Sequence, residues 1–157
     1  MARGPDKIAV YAFHKSVGIT ILALALARLL WRLYAGRPVP VPGMPAWQDR
    51  MASLMHGALY LMLFAVPISG WAMNSAAGFP LQWFGLFNLP SIAPHSRDLH
   101  ELTESLHTSL FWVLVALAAA HAAAAIYHHM FQRDATLARM LPRGWLRTPT
   151  QESRDVV

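Results

Sequence analysis

The sequence predicts an all-α transmembrane protein, and three observations point there. Apolar residues make up 55% of the 157 residues and charged residues only 13%, about half the charged share of an ordinary soluble domain. The apolar residues fall in three blocks, residues 8–34, 51–74 and 106–131, each longer than the roughly 20 residues that cross a bilayer. The formal charge is +5, but the basic residues flank the blocks, as they do beside headgroups, and form no stripe for nucleic acid.

The first block has its densest run in VGITILALALARLLW, which holds no proline and favours helix. His14 lies near its start, and Arg28 and Arg32 near its end, where long basic side chains can snorkel to an interface. His14, Lys15 and Arg28 also make it a poor cleavable signal peptide. Residues 36–50, GRPVPVPGMPAWQDR, are rich in proline and glycine and read as a short connection, with Trp47 at an interface and Gln48 and Asp49 starting the next helix.

The second block carries His56 near its start and then ALYLMLFAVPISGWAM. Pro67 and Gly70 are expected to bend this helix, and Ser69 to satisfy a backbone group freed by Pro67. Residues 75–105 form the longest connection. Its aromatic first part, broken by proline and glycine, is expected to lie along the membrane surface, with Trp83, Phe84 and Phe87 as an interfacial belt. SRDLHELTES reads as a short polar helical lead-in, with His95 and His100 as ordinary loop histidines. The third block, LHTSLFWVLVALAAAHAAAAIYHHMF, is free of proline and glycine. A basic tail follows, expected to be mobile over 148–157, so that 1–147 form the membrane domain.

Arginines set the topology. Arg28, Arg32, Arg37 and Arg50 lie around the first connection, and Arg133, Arg139, Arg143 and Arg147 follow the third block. Residues 75–105 carry Arg97 against Asp98, Glu101 and Glu104. The positive-inside rule therefore puts 75–105 outside and the C-terminus in the cytoplasm. Three crossings then leave the N-terminus outside with no signal to send it there, which a further helix ahead of Met1 would resolve.

The chain has no cysteine, which excludes disulfides, thiolate metal sites, cysteine-ligated iron–sulfur clusters and covalent haem attachment. Its eight histidines are the main potential ligands, with methionine a weaker one. His14 and His107 begin parallel helices at the outer side. They can supply both axial ligands of one haem b iron, a closed coordination suited to electron transfer. Gly18, one turn after His14, removes bulk where a flat macrocycle would lie. His121 stands fourteen residues after His107, close to four turns and about 21 Å along the same helix face. It can serve a second haem, for which it needs a partner. His56 is a candidate, although a lone membrane histidine more often bonds across a bundle. His128 and His129 fall at the inner interface.

With these residues in view, the chain resembles the bacterial cytochrome b561 family of small cytoplasmic-membrane proteins. The stretches LHTSL, HAAAAIYHHMF and QRDATLARMLP look like that family's last helix and tail. MHGALYLMLFAVPISGW looks like its third helix, and FHKSVGITILALALARLLWR like its second. The resemblance implies a four-helix bundle with two haem b groups, of which this chain would carry the last three helices. His14 and His107 would hold the outer haem and His121 the inner one, whose usual partner lies on a first helix with no match here. One or two haems are then expected. Arg97 or interfacial arginines would pair with haem propionates.

The implied function is single-electron transfer between a quinone and a membrane or periplasmic redox partner in the bacterial inner membrane, with a homodimer possible. Two other readings stand beside it: the cytochrome b subunit of a larger hydrogenase- or dehydrogenase-type complex, and a haem-free scaffold or truncated non-functional fragment.

Overall fold

In the computed structural model the chain forms α1 (Gly4–Ala35), α2 (Ala46–Ala76), a hairpin of β1 (Leu81–Trp83) and β2 (Phe87–Leu89), and α3 (Arg97–Tyr127). The structure describes residues 4–36 and 45–127, with side chains from Lys7 onward. Each helix is long and apolar enough to cross a membrane, so the protein is an all-α chain with three membrane-spanning helices. The expected tail and the end of the third block, residues 128–157, lie outside the described residues. Two compact units divide the chain, Met1–Leu114 and Val115–Val157, and the packing described below lies within the first.

The side chains sort in the opposite sense to those of a soluble protein. Leu24, Leu30, Leu61 and Trp112 are each more than half exposed, and lipid is the solvent that suits such a surface. The buried set in this unit is mostly small or polar: Ala25, Ala76, Ser16, Ser69, Asn74, Ser75 and Thr103, with Met62 and Leu81 its larger apolar members. Lipid tails are as apolar as leucine, so close approach at small residues and hydrogen bonds between elements hold such a structure together.

Helix α2 runs unbroken through Pro67. It ends in a Schellman motif, in which Gly78 N–H donates to Ser75 C=O at 2.9 Å and Phe79 N–H to Asn74 C=O at 3.3 Å. Gly78 takes the left-handed conformation, φ +77°, that this motif places just past the helix end. The imidazole of His95 also packs so closely there that a Cβ would meet its Nδ1 at 2.9 Å.

The connection from α2 to α3 is more ordered than its proline and glycine content suggests. Leu81 pairs with Leu89 and Trp83 with Phe87 in antiparallel register. At the tip Phe84 and Gly85 both have positive φ, +46° and +74°, and Leu86 N–H closes the turn on Trp83 C=O at 2.9 Å. A positive φ at phenylalanine is strained, and it persists where surrounding contacts fix it. Those contacts come from α1. Buried Ser16 accepts a hydrogen bond from Phe84 N–H at 2.9 Å, and Trp83 Nε1–H donates to Thr20 Oγ1 at 3.0 Å. Trp83, Phe84 and Phe87 therefore form a clasp between the hairpin and one face of α1, beyond the surface belt their composition suggested.

Helix α3 begins at Arg97, ahead of residue 106, because the polar SRDLHELTES stretch is continuous with the apolar one. Two histidines on this first part, and His95 in the loop just before it, reach the carbonyls of α2. His107 Nδ1 lies 3.0 Å from Val66 O, His100 Nδ1 3.2 Å from Met73 O, and His95 Nδ1 2.9 Å from Ala76 O. One partner number falls as the other rises, so the two helices run antiparallel here. At the opposite end of α1, Arg28 Nε donates to Tyr60 Oη at 2.9 Å and Arg32 lies over the Tyr60 ring at 5.4 Å.

Replacing Ser16 by alanine leaves the Phe84 amide without its partner, at a cost of about 1–3 kcal/mol. The expected readouts are faster hydrogen exchange at Phe84 and a lower thermal midpoint in detergent, with the α2–α3 contacts retained.

Candidate functional site

The first unit holds a cavity of about 230 Å³ between α1, α2 and the first part of α3, several times the roughly 30 Å³ share of a water molecule. Its lining is mostly apolar, with Val17, Ile21, Met62, Leu63 and Leu114 among it, and it also includes His14, Lys15, Gly18, Gly70 and His107.

His14 and His107 face each other there. Their ring centroids are 6.2 Å apart and the planes cross at 81°. Two imidazole nitrogens bound on opposite sides of one metal, at roughly 2 Å each, place the ring centroids about 6 Å apart. The pair is thus already at the separation that axial ligation requires. Among the described residues no group of three or more His, Cys, Asp or Glu gathers as a site for a bare ion. Two opposed imidazoles suit a metal whose other positions a planar macrocycle fills.

The protonation of His107 follows from its partners. Val66 C=O can only accept, so Nδ1 of His107 carries the proton and donates to it at 3.0 Å. Ser69 Oγ–H donates to the same carbonyl at 2.8 Å, and its oxygen lies 3.0 Å from His107 Nδ1, where it accepts a second share of that proton. Nε2 is left with its lone pair as the ligand atom. Metal-ligating histidines are generally oriented through their other nitrogen in this way.

Glycines make room on both sides. A Cβ on Gly70 would stand 3.0 Å from His107 Cε1 and 3.3 Å from its Nδ1, so glycine lets the imidazole lie against α2. A Cβ on Gly18 would meet no atom within 4 Å. Packing within the protein does not demand glycine there, and the space it leaves belongs to the cavity. The residues present therefore fit a haem b held between His14 and His107.

Sequence reasoning missed three features of this site. Lys15, beside His14 on the cavity wall, donates from Nζ to Oδ1 of buried Asn74 at 3.1 Å, and Asn74 Nδ2 donates onward to Phe79 C=O at 2.7 Å. Ser69 reaches His107 and the carbonyl of Val66, not that of Leu63, the one that Pro67 leaves without its helical donor, and Gly70 is a seat for an imidazole. Only a lysine at a block's edge and the Pro-x-Ser-Gly run hinted at any of this. Arg97, expected near a propionate, is 89% exposed and paired with Glu101 at 2.9 Å. His56 lies exposed on α2, and His121 is half-buried in the second unit. His128 and His129 lie outside the described residues.

Comparison with known proteins decides the family. Residues 1–143 match the family described as prokaryotic cytochrome b561. The chain belongs to the prokaryotic cytochrome b561 family. It is similar to cytochrome b561 homolog 2 of Escherichia coli K12, with 37% identity over 131 residues, 83% of this chain and 70% of the relative. Cytochrome b561 homolog 1 of the same organism is also 37% identical, over 83% of this chain and 73% of the relative. A protein of Yersinia pestis named probable superoxide oxidase CybB is 33% identical over the same shares. Membership makes this b561-family chain a multi-pass inner-membrane protein of an electron-transfer class.

Gly70→Ala should crowd the His107 ring, at a cost of about 1–3 kcal/mol as for other overpacked sites. A lower thermal midpoint and a smaller bound-haem fraction at equal protein would be measured together, with Gly18→Ala as a control expected to fold normally.

Proposed function

We propose that this protein carries single electrons in the inner membrane through a haem b ligated by His14 and His107, between a quinone and a membrane or periplasmic redox partner. The observation that carries the reading is the facing imidazole pair at 6.2 Å, with the lone pair of His107 Nε2 left available by its Nδ1 contacts. Bound there, haem b supplies a reversible one-electron couple.

The chain's own residues do the rest. His14 and His107 would together hold the haem, which would then supply electron transfer rather than oxygen binding. The apolar wall of the cavity excludes water and raises the cost of net charge inside it. Lys15, on that wall, would pair with a propionate of the bound haem, and charge-assisted bonds of this kind are strong. Arg97 serves that role only by leaving Glu101. His121 is the family-type ligand for an inner haem, and with it the protein carries electrons between two depths. In this reading residues 75–105 face outward, the C-terminus faces the cytoplasm, and a second copy of the chain is a possible partner.

Lys15 also favours a second reading. An anion approaching the outer end meets its ammonium beside His14, and one relative is named a probable superoxide oxidase. Superoxide would give up one electron at the site and leave as dioxygen.

Haem content and spectra test both. The purified chain should show a low-spin b-type spectrum, and His14→Ala and His107→Ala should each abolish the outer signal. One haem per chain lost in both variants assigns the pair, and a second haem lost only in His121→Ala assigns the inner site. No haem in the purified wild type overturns the reading. Reduction by a superoxide pulse, slowed in Lys15→Gln, separates the second reading from quinol-driven reduction alone.

A further inference from the structure

We infer that Ser69 is a positioning residue for His107, and that its hydroxyl sets how strongly that imidazole donates to the metal. The inference rests on the haem-ligand reading of His107 and goes beyond it, to the residue that tunes the ligand.

Ser69 is buried, 6% exposed, in the middle of the apolar α2. A serine there can do no more than bond its own helix, and Ser69 does donate to the carbonyl three residues back, Val66, at 2.8 Å. Its oxygen, however, also lies 3.0 Å from His107 Nδ1, on a helix that approaches from a distant part of the sequence. The three groups form a closed set. The serine proton goes to Val66 C=O, and the imidazole proton is shared between that carbonyl and Ser69 Oγ. Gly70, the next residue, supplies the gap that lets the ring come this close.

The position of this set decides its effect. Two acceptors on Nδ1–H give His107 more imidazolate character than one would, and a more electron-rich imidazole stabilises the oxidised metal. Because both acceptors are fixed on α2, they also hold the ring plane. Ser69 does not itself line the cavity, and its hydroxyl bonds only Val66 and His107, so its path to the metal runs through His107.

Ser69→Ala and Ser69→Thr test this in the full chain in detergent or nanodiscs, with wild type and His107→Ala alongside. The Ser69→Ala protein should fold and bind haem at wild-type stoichiometry. Its outer haem should show a raised midpoint potential and altered low-spin electron paramagnetic resonance g-values, and Ser69→Thr, which restores a hydroxyl, should return both toward wild type. Unchanged potential and g-values in Ser69→Ala would overturn the inference. So would a shift that Ser69→Thr fails to reverse, because packing and not the hydroxyl would then be responsible. Haem absent from the wild type, or an outer signal intact in His107→Ala, refutes the ligand reading itself, and that outcome is visible before Ser69 is considered.

Discussion

The hydrogen bond from His107 to the carbonyl of Val66 is the interaction on which the site depends. A membrane interior offers no water to a polar group, so an imidazole placed there must find its partners in the protein. His107 finds two, on the stretch of α2 around Pro67. That one requirement fixes which nitrogen carries the proton, which way the ring faces and how near α3 comes to α2. It also explains why Gly70 stands where it does. His100 and His95 repeat the arrangement toward the C-terminal end of α2, against Met73 and Ala76. The last carbonyls of a helix lack intrahelical partners, and at this end of α2 side chains from α3 and the loop before it help to meet them.

The other half of the site depends on α1, and α1 is held by polar contacts of its own. Ser16 and Thr20 bind the hairpin, and Lys15 binds Asn74 at the end of α2. All of these lie within about two turns of His14. The hairpin therefore does more than close the connection from α2 to α3. Through it, the residues just after His14 are tied to the C-terminal end of α2, and that end in turn carries the carbonyls His100 and His95 bind. The two imidazoles are presented by different helices, yet both lean on α2 and the hairpin that follows it: His107 on residues 66–70, and the α1 residues around His14 on residues 74–84.

Much of this was legible in the sequence, for a physical reason. Membrane spans announce themselves by length and composition, so α1, α2 and α3 stand out, and a histidine inside one is costly enough to attract notice. Parallel helices that each begin with a histidine at one side also bring His14 and His107 into consideration before any coordinates. What stayed hidden is what depends on contacts between distant residues. The hairpin from Leu81 to Leu89 is stabilised by Ser16 and Thr20, more than sixty residues away, so its local composition reads as irregular. The polar stretch SRDLHELTES reads as a helical lead-in, but a hydropathy pattern does not show that it is one continuous helix with the apolar block, starting at Arg97. His95 does lie in the loop, whereas His100, expected there too, is on α3.

Gly70 shows how little a residue's type says about its purpose. In a membrane helix, beside Pro67, glycine suggests a bend. The helix runs on through both residues, and the missing side chain is filled by an imidazole from α3 so close that a Cβ would crowd it. Gly18 is the converse case, for nothing in the protein crowds it. If packing alone had shaped these helices, Gly70 would be needed and Gly18 would be free to carry a side chain into the cavity. The two glycines thus separate two demands on one site. One lets the His107 imidazole reach its seat, and the other leaves open the cavity beside it.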